Sequence, residues 1–149
     1  MHRRGPDAKG SYRHLEGGGR HVLLIHSRLS IIDLDPRAHQ PYHQDGRSLV
    51  FNGEIYNYVE LAQQLKAKGQ PLQTRSDTEV LFSMLGAEGV ASLDKCEGMW
   101  AFAYYDEMRE CLWLSRDRFG EKPLYVFEDA TGLYFGSEVK YIQALRRSP

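Results

Sequence analysis

Several things are scarce in this sequence, and each shortage closes off a class of protein. Cysteine occurs only as Cys96 and Cys111 in 149 residues. Two cysteines at no metal-like or secretory spacing exclude a disulfide-stapled scaffold and a Cys-rich zinc module, and a reducing compartment is expected. His14, His21, His26, His39 and His43 show no ligand spacing on a predicted helix, so no metal site is expected. An excess of one charge is missing too: 19 Lys and Arg face 20 Asp and Glu, a net charge of −1. That balance provides no field for nucleic acid or for an anionic membrane, and neither is expected as a partner. The longest apolar run, Met99 to Tyr105, is far too short to span a bilayer. No signal-peptide pattern opens the chain, so a cytoplasmic location is expected. Repeats, linkers, low-complexity tracts and a phosphate-cradling glycine loop are all lacking.

What is present is an ordinary globular composition, 42% apolar, enough to bury one core, and a single domain over 1–149 is expected. "SYRHLEGGGRHVLLIHSRLSIIDL" holds two β-like stretches around Gly17-Gly18-Gly19, a hairpin signal. Asp35-Pro36 and Gln40-Pro41 break the pattern. A strand at Leu49 to Asn52 leads to a helix from Asn57 to Lys68, with Tyr58, Leu61, Ala62 and Leu65 at helical spacing and Gly69 as its stop. Ser76 or Asp77 caps a second helix carrying Val80, Leu81, Met84 and Leu85, ending near Gly86 or Gly89. "GMWAFAYYD", "CLWLSRD", "PLYVFED" and "LYFGSE" are short aromatic and β-branched runs between turns, the pattern of an antiparallel meander. A last helix from about Ser137 carries Val139, Ile142 and Leu145. Helices lying between early and late groups of strands predict an α+β fold.

Three sets of polar residues stand at the mouths of these elements. Arg28 ends the strand "HVLLIHS" just before Leu29-Ser30-Ile31-Ile32. Asn52-Gly53-Glu54 closes the next strand, and Asp77 opens a helix. An arginine fork suits a carboxylate, an aspartate suits an ammonium, and an Asn amide beside a Gly N–H suits a developing oxyanion. Together they fit an amino acid with an amide side chain. Singly, each has a plainer reading: Arg28 as a surface cation, Asp77 as a helix cap, Asn52-Gly53 as a turn.

In order, "HRRGPDAKG", "RLSIID", "FNGEIYNY", "RSDTEVL", "GMWAFAYYD", "RDRFGEKPLY" and "FGSEVKYI" resemble, from end to end, the glutaminase domain of glutamine-hydrolysing asparagine synthetases. "NGEIYN" and "RDRFGEKPLY" are of the asparagine synthetase type, whereas the class II glutamine amidotransferases that make glucosamine phosphate or phosphoribosylamine have a His-Asn-Gly version of the middle motif. The resemblance implies a four-layer αββα sandwich of two antiparallel sheets, of the N-terminal-nucleophile-hydrolase kind. It implies that L-glutamine is the ligand and that Arg28 grips its α-carboxylate. The backbone of Leu29, Ser30, Ile31 and Ile32 would line the same pocket. Asn52 and Gly53 would form the oxyanion hole, Glu54 would contact the amino end of glutamine, and Asp77 would pair with its α-ammonium. Arg4, Gly5, Pro6 and Asp7 would shape a loop under the pocket, and "RDRFGEKPLY" would serve as a scaffold or domain contact.

The resemblance also implies what is lacking. The family attacks the glutamine amide with a cysteine at the first position of the mature chain, whose own amine is the base. This sequence reads Met1-His2-Arg3 instead, so the fold is expected to lack its first strand and helix. Cys96 and Cys111 read as structural thiols. Glutamine hydrolysis by these residues alone is therefore not expected. The synthetase domain that uses ATP and Mg, adenylates aspartate or a related carboxylate and receives the ammonia is expected in the remainder of a longer parent, with no cofactor in this domain. Two further readings stay open: a non-catalytic glutamine-binding or interaction module, and a structural domain with no ligand. An uncovered sheet edge also makes a homo-oligomer a possible partner state.

Overall fold

The computed structural model describes residues 8–28 and 39–147. The Arg4-to-Asp7 stretch and the predicted pocket segment Leu29 to Ile32 lie outside the described residues, as does the Arg28 side chain.

Apolar residues on both faces of two strands organise the molecule. β3 (Tyr42–Gln44), β4 (Arg47–Ile55), β5 (Gly98–Asp106) and β6 (Cys111–Arg116) form a four-stranded antiparallel sheet in that order, with β4 and β5 central. The runs "LVF" and "WAFAYY" do not alternate with polar residues because both faces of the sheet are covered. Leu49, Phe51, Ile55, Phe102 and Tyr104 pack into one core with the helices. Val50, Ala103 and Tyr105 join Leu24 in a second core on the opposite face.

The helix layer is α1 (Tyr58–Ala67) and α2 (Asp77–Glu88). Leu61 and Leu65 are the buried stripe of α1, which ends where Gly69 takes φ 77°. The N–H groups of Gly69 and Gln70 donate back to Lys66 and Leu65 carbonyls, both at 3.0 Å, a closure that the left-handed glycine permits. At the start of α2 the Ser76 hydroxyl accepts the Glu79 N–H at 3.2 Å. Glu79 in turn accepts the Gln73 and Thr74 N–H groups at 2.8 and 2.6 Å, so the first turn holds its own approach loop in place. Residues 77–82 together with Met84 and Leu85 are buried. α2 is thus enclosed on nearly all sides of its first two turns.

On the other face lies the hairpin of β1 (Ala8–Leu15) and β2 (His21–Arg28), turned through Gly17–Gly19 as the glycine run predicts. Tyr12, Val22 and Leu24 point inward against Val50, Ala103 and Tyr105. β7 (Tyr125–Asp129) and β8 (Gly132–Gly136) form a second ribbon, with Phe135 packed against the same core and α3 (Val139–Arg147) laid on β8. The order of layers is helices, sheet, ribbons, helix: α+β, as expected.

The strands differ from expectation in two respects. The β3 strand and the 3-10 segment Gly89–Lys95 carry too few residues to give a periodic signal. The late strands are not one meander, because β6 pairs with β5 while β7 pairs only with β8. The turn between them explains the break. The Asp117 carboxylate accepts the N–H groups of Phe119, Glu121 and Lys122 at 2.9 to 3.1 Å. Arg116 Nε donates to the Lys122 carbonyl at 2.8 Å. Side chains have taken the turn's backbone groups, and the chain leaves the sheet plane.

Candidate functional site at the open edge of β4

β3 stops at Tyr42, whose partner is Leu49, while β4 continues to Ile55. The last two-thirds of β4, from Val50 to Ile55, therefore has a neighbouring strand on one side only. In an antiparallel ladder, alternate residues direct their N–H and C=O groups to opposite neighbours. Phe51 N–H is taken by the Gln40 side chain at 2.6 Å, and Ile55 N–H by Asp77 Oδ2 at 3.2 Å. Both donors face away from β5. Gly53 lies between them and directs its N–H to the same open edge, where no described residue accepts it. Opposite Gly53 stands Trp100, whose own N–H points the other way, to Asp117 at 3.3 Å. The alternation is thus consistent on both β4 and β5.

Close packing explains the glycine. A Cβ at position 53 would lie 2.2 Å from the Met99 carbonyl oxygen and 2.8 Å from Trp100 Cα, both rigid backbone. Strand alternation places Asn52 and Glu54 on the face covered by the β1–β2 hairpin, and Asn52 is exposed there. Asp77 arrives from the helix side. It is buried, at 6% exposure. Burial raises its carboxyl above the ordinary range, opposed by hydrogen bonds from the Ile55 and Thr78 N–H groups, while the Glu54 charge adds to the rise. A buried carboxylate short of positive charge, next to an outward N–H, is suited to an ammonium group and a carbonyl on one ligand.

Asn52, Gly53, Glu54 and Asp77 are thus brought to one end of β4. Arg28 is the last residue of β2, with its backbone opposite Ala8. Two residues back, His26 pairs with Gly10. Gly10 packs so tightly on the 40–41 segment that an added Cβ would fall 2.1 Å from the Gln40 carbonyl oxygen. The Gly10–His26 pair of the hairpin therefore lies against the Gln40 segment, which is itself bound to Phe51 in the middle of β4. Gln40, read from sequence only as part of a Gln-Pro break, and Asp117, read only as part of a charged turn, both brace this part of the sheet. No periodicity or spacing marks either, because their partners are 11 and 17 residues away.

The two cysteines lie at opposite ends of the sheet, Cys96 just before the Glu97-Gly98 pair that meets Ile55 and Tyr56. Cys96 is half-buried against the helix-side core, donates to the Ser92 carbonyl at 3.7 Å, and burial pushes its thiol up to about 11. Cys111 pairs with Asp106 at the opposite end of the sheet. Among the described residues no cluster of His, Cys, Asp and Glu could hold a metal ion, and no helix is long and apolar enough to cross a membrane.

Two antiparallel β layers between helices are the fold of glutamine amidotransferases of the N-terminal-nucleophile-hydrolase class. A solved glutamine phosphoribosylpyrophosphate amidotransferase from B. subtilis superposes with a TM-score of 0.70 at 25% identity, over 86% of this chain and 30% of that one. The chain belongs to the glutamine amidotransferase domain family, whose pattern matches residues 1–148. Among its relatives, asparagine synthetase [glutamine-hydrolyzing] 1 of Bacillus subtilis (strain 168) is 42% identical over 139 residues, covering 92% of this chain and 21% of that protein. Asparagine synthetase B [glutamine-hydrolyzing] of Escherichia coli (strain K12) is 37% identical over 150 residues, covering 99% of this chain and 26% of that protein. The chain therefore spans about a quarter of the length of these relatives.

Proposed function

We propose that this chain is the glutamine-binding domain of an asparagine synthetase-like enzyme, and that in a longer protein it releases ammonia for ATP-dependent amidation of aspartate or a related carboxylate. One observation carries the reading: Gly53 offers its N–H on an open strand edge, and the Asp77 carboxylate is bound to the same edge two residues along, at Ile55. The glutamine α-ammonium pairs with Asp77 and reaches Glu54. Its amide carbonyl lies against Gly53 N–H and the Asn52 side chain, which hold the oxyanion when a nucleophile attacks. Arg28 takes the α-carboxylate.

A second reading is favoured by the cysteines. A thiol held near 11 in an apolar setting is not a nucleophile at neutral pH, and Cys111 stands at the far end of the sheet. These residues by themselves bind glutamine without cleaving it. Titration calorimetry with L-glutamine tests both points. Saturable binding by the chain, weakened in Asp77→Ala and absent with D-glutamine, is expected, with no ammonia released. A folded sample that gives no heat with L-glutamine would overturn the assignment.

A further inference from the structure

Gln40 is 8% exposed, and both ends of its carboxamide are engaged on different elements. Its Oε1 accepts Phe51 N–H at 2.6 Å, and its Nε2 donates to the Thr78 hydroxyl at 3.4 Å. The assignment of oxygen and nitrogen is forced, since a backbone N–H only donates. The Gln40 main chain is gripped as well, by Gly10 of β1. One side chain and its carbonyl thus meet β1, β4 and α2.

β4 and α2 carry two arms of the site, and β1 is paired with β2, which carries the third. Phe51 precedes Asn52 and Gly53, Thr78 follows Asp77, and Gly10 is paired with His26, two residues before Arg28. Gln40 also occupies a particular gap. β3 has already stopped, so Gln40 takes the place of a missing strand at the one N–H just before the Asn52-Gly53 pair. Only an amide of this length supplies an acceptor for β4 and a donor for α2 together.

We propose that Gln40 is the positioning residue of the glutamine site, setting the spacing between the hydrogen-bond donors at Asn52-Gly53 and the carboxylate of Asp77. This rests on the glutamine-binding reading above. Gln40 touches no ligand. It acts through Phe51 and Thr78, and its effect shows as lost affinity for a ligand that must reach both arms at once.

The test uses Gln40→Met, which keeps length and loses both hydrogen bonds, Gln40→Glu, which keeps an acceptor for Phe51 N–H and lets the Thr78 hydroxyl turn to donate, and Thr78→Val. L-Glutamine affinity is measured by calorimetry well below each variant's Tm, with amide NMR spectra of the free proteins alongside. Gln40→Met is expected to weaken L-glutamine about tenfold, the loss of one buried hydrogen bond's worth of alignment, and to move the Gly53 amide resonance before ligand is added. Gln40→Glu is expected to recover most of the affinity. Thr78→Val tests the α2 arm even if Gln40→Met does not fold, and a loss of about threefold supports the proposal. Variants with lowered Tm, unchanged affinity and an unmoved Gly53 amide make Gln40 a plain structural clasp and overturn it. If the wild-type chain binds no glutamine, the functional reading fails separately. Gln40 is then decided by the Gly53 amide and the Asp77 carboxyl titration, which both shift in Gln40→Met if it positions the two arms and stay put if it does not.

Discussion

Asp117 Oδ2 lies 3.3 Å from the backbone nitrogen of Trp100, the residue directly across the ladder from Gly53. A carboxylate in a turn thereby holds the strand that backs the proposed oxyanion donor. Burial pushes the Asp117 carboxyl upward, but the N–H groups of Lys122, Glu121, Trp100 and Phe119 overcome that and hold it below the ordinary range. A group with a depressed folded pKa contributes stability that is full above its unfolded value, about 3.9, and is lost as pH falls through the folded value. Asp117→Asn is expected to cost about 2–3 kcal/mol at pH 7 and to flatten the acid limb of stability below pH 4. Urea unfolding at pH 7 and pH 3 measures both, and an unchanged acid limb contradicts the assignment.

Asp77 has the opposite sign. Its carboxyl is raised by burial, so the ionised form is a burden that sets in as pH rises from the ordinary carboxylate value through the folded one. Asp77→Asn keeps an acceptor for Ile55 N–H and removes the buried charge. It is expected to raise Tm at pH 7 while weakening L-glutamine by about 10- to 100-fold, since a charged partner for the ammonium is lost. In the unaltered chain, affinity falls as pH drops through the raised Asp77 pKa. Stability and binding moving in the same direction in Asp77→Asn would count against a substrate role.

Gly53→Ala meets backbone on two sides. The methyl group would also press on the buried Phe51 ring, and because the Met99 and Trp100 backbone cannot turn aside, β4 and β5 must separate at a central position. A cost of about 3 kcal/mol is expected, read as a lower Tm, together with a changed Trp100 fluorescence signal. A neutral substitution would show that the strands part more easily than their packing suggests.

Asn52 is exposed and supports nothing visible in the sheet, so its removal separates catalysis from stability. In a longer protein that hydrolyses glutamine, Asn52→Ala is expected to lower kcat about 10²–10³-fold with little change in KM or Tm. A rise in KM alone would assign the side chain to ground-state binding instead.

The Cys96 thiol, pushed up to about 11 by burial, should react slowly with iodoacetamide at pH 8, where little thiolate is present. Mass spectrometry of the labelled peptide gives the rate. Rapid modification would reopen a nucleophilic role for this residue.

The sequence by itself determined every element whose signal is local. The glycine run makes the β1–β2 hairpin, Ser76 caps α2 through Glu79, and Gly69 closes α1, because each depends on φ or on a partner within a few residues. Asp77 was legible as the residue that opens α2, but Asn52 and Gly53 do not end their strand as expected: they lie inside β4, which runs on to Ile55. Tertiary structure alone decided which donors stay open. Whether Gly53 N–H faces solvent or a strand depends on where β3 stops, and β3 has only three residues. The same holds for Gln40 and Asp117, whose hydrogen bonds cross from one element to another, and for α2, whose first two turns are buried nearly all round by layers distant in the chain. Periodicity records the face a residue turns, whereas the neighbour waiting on that face is set by how the layers stack.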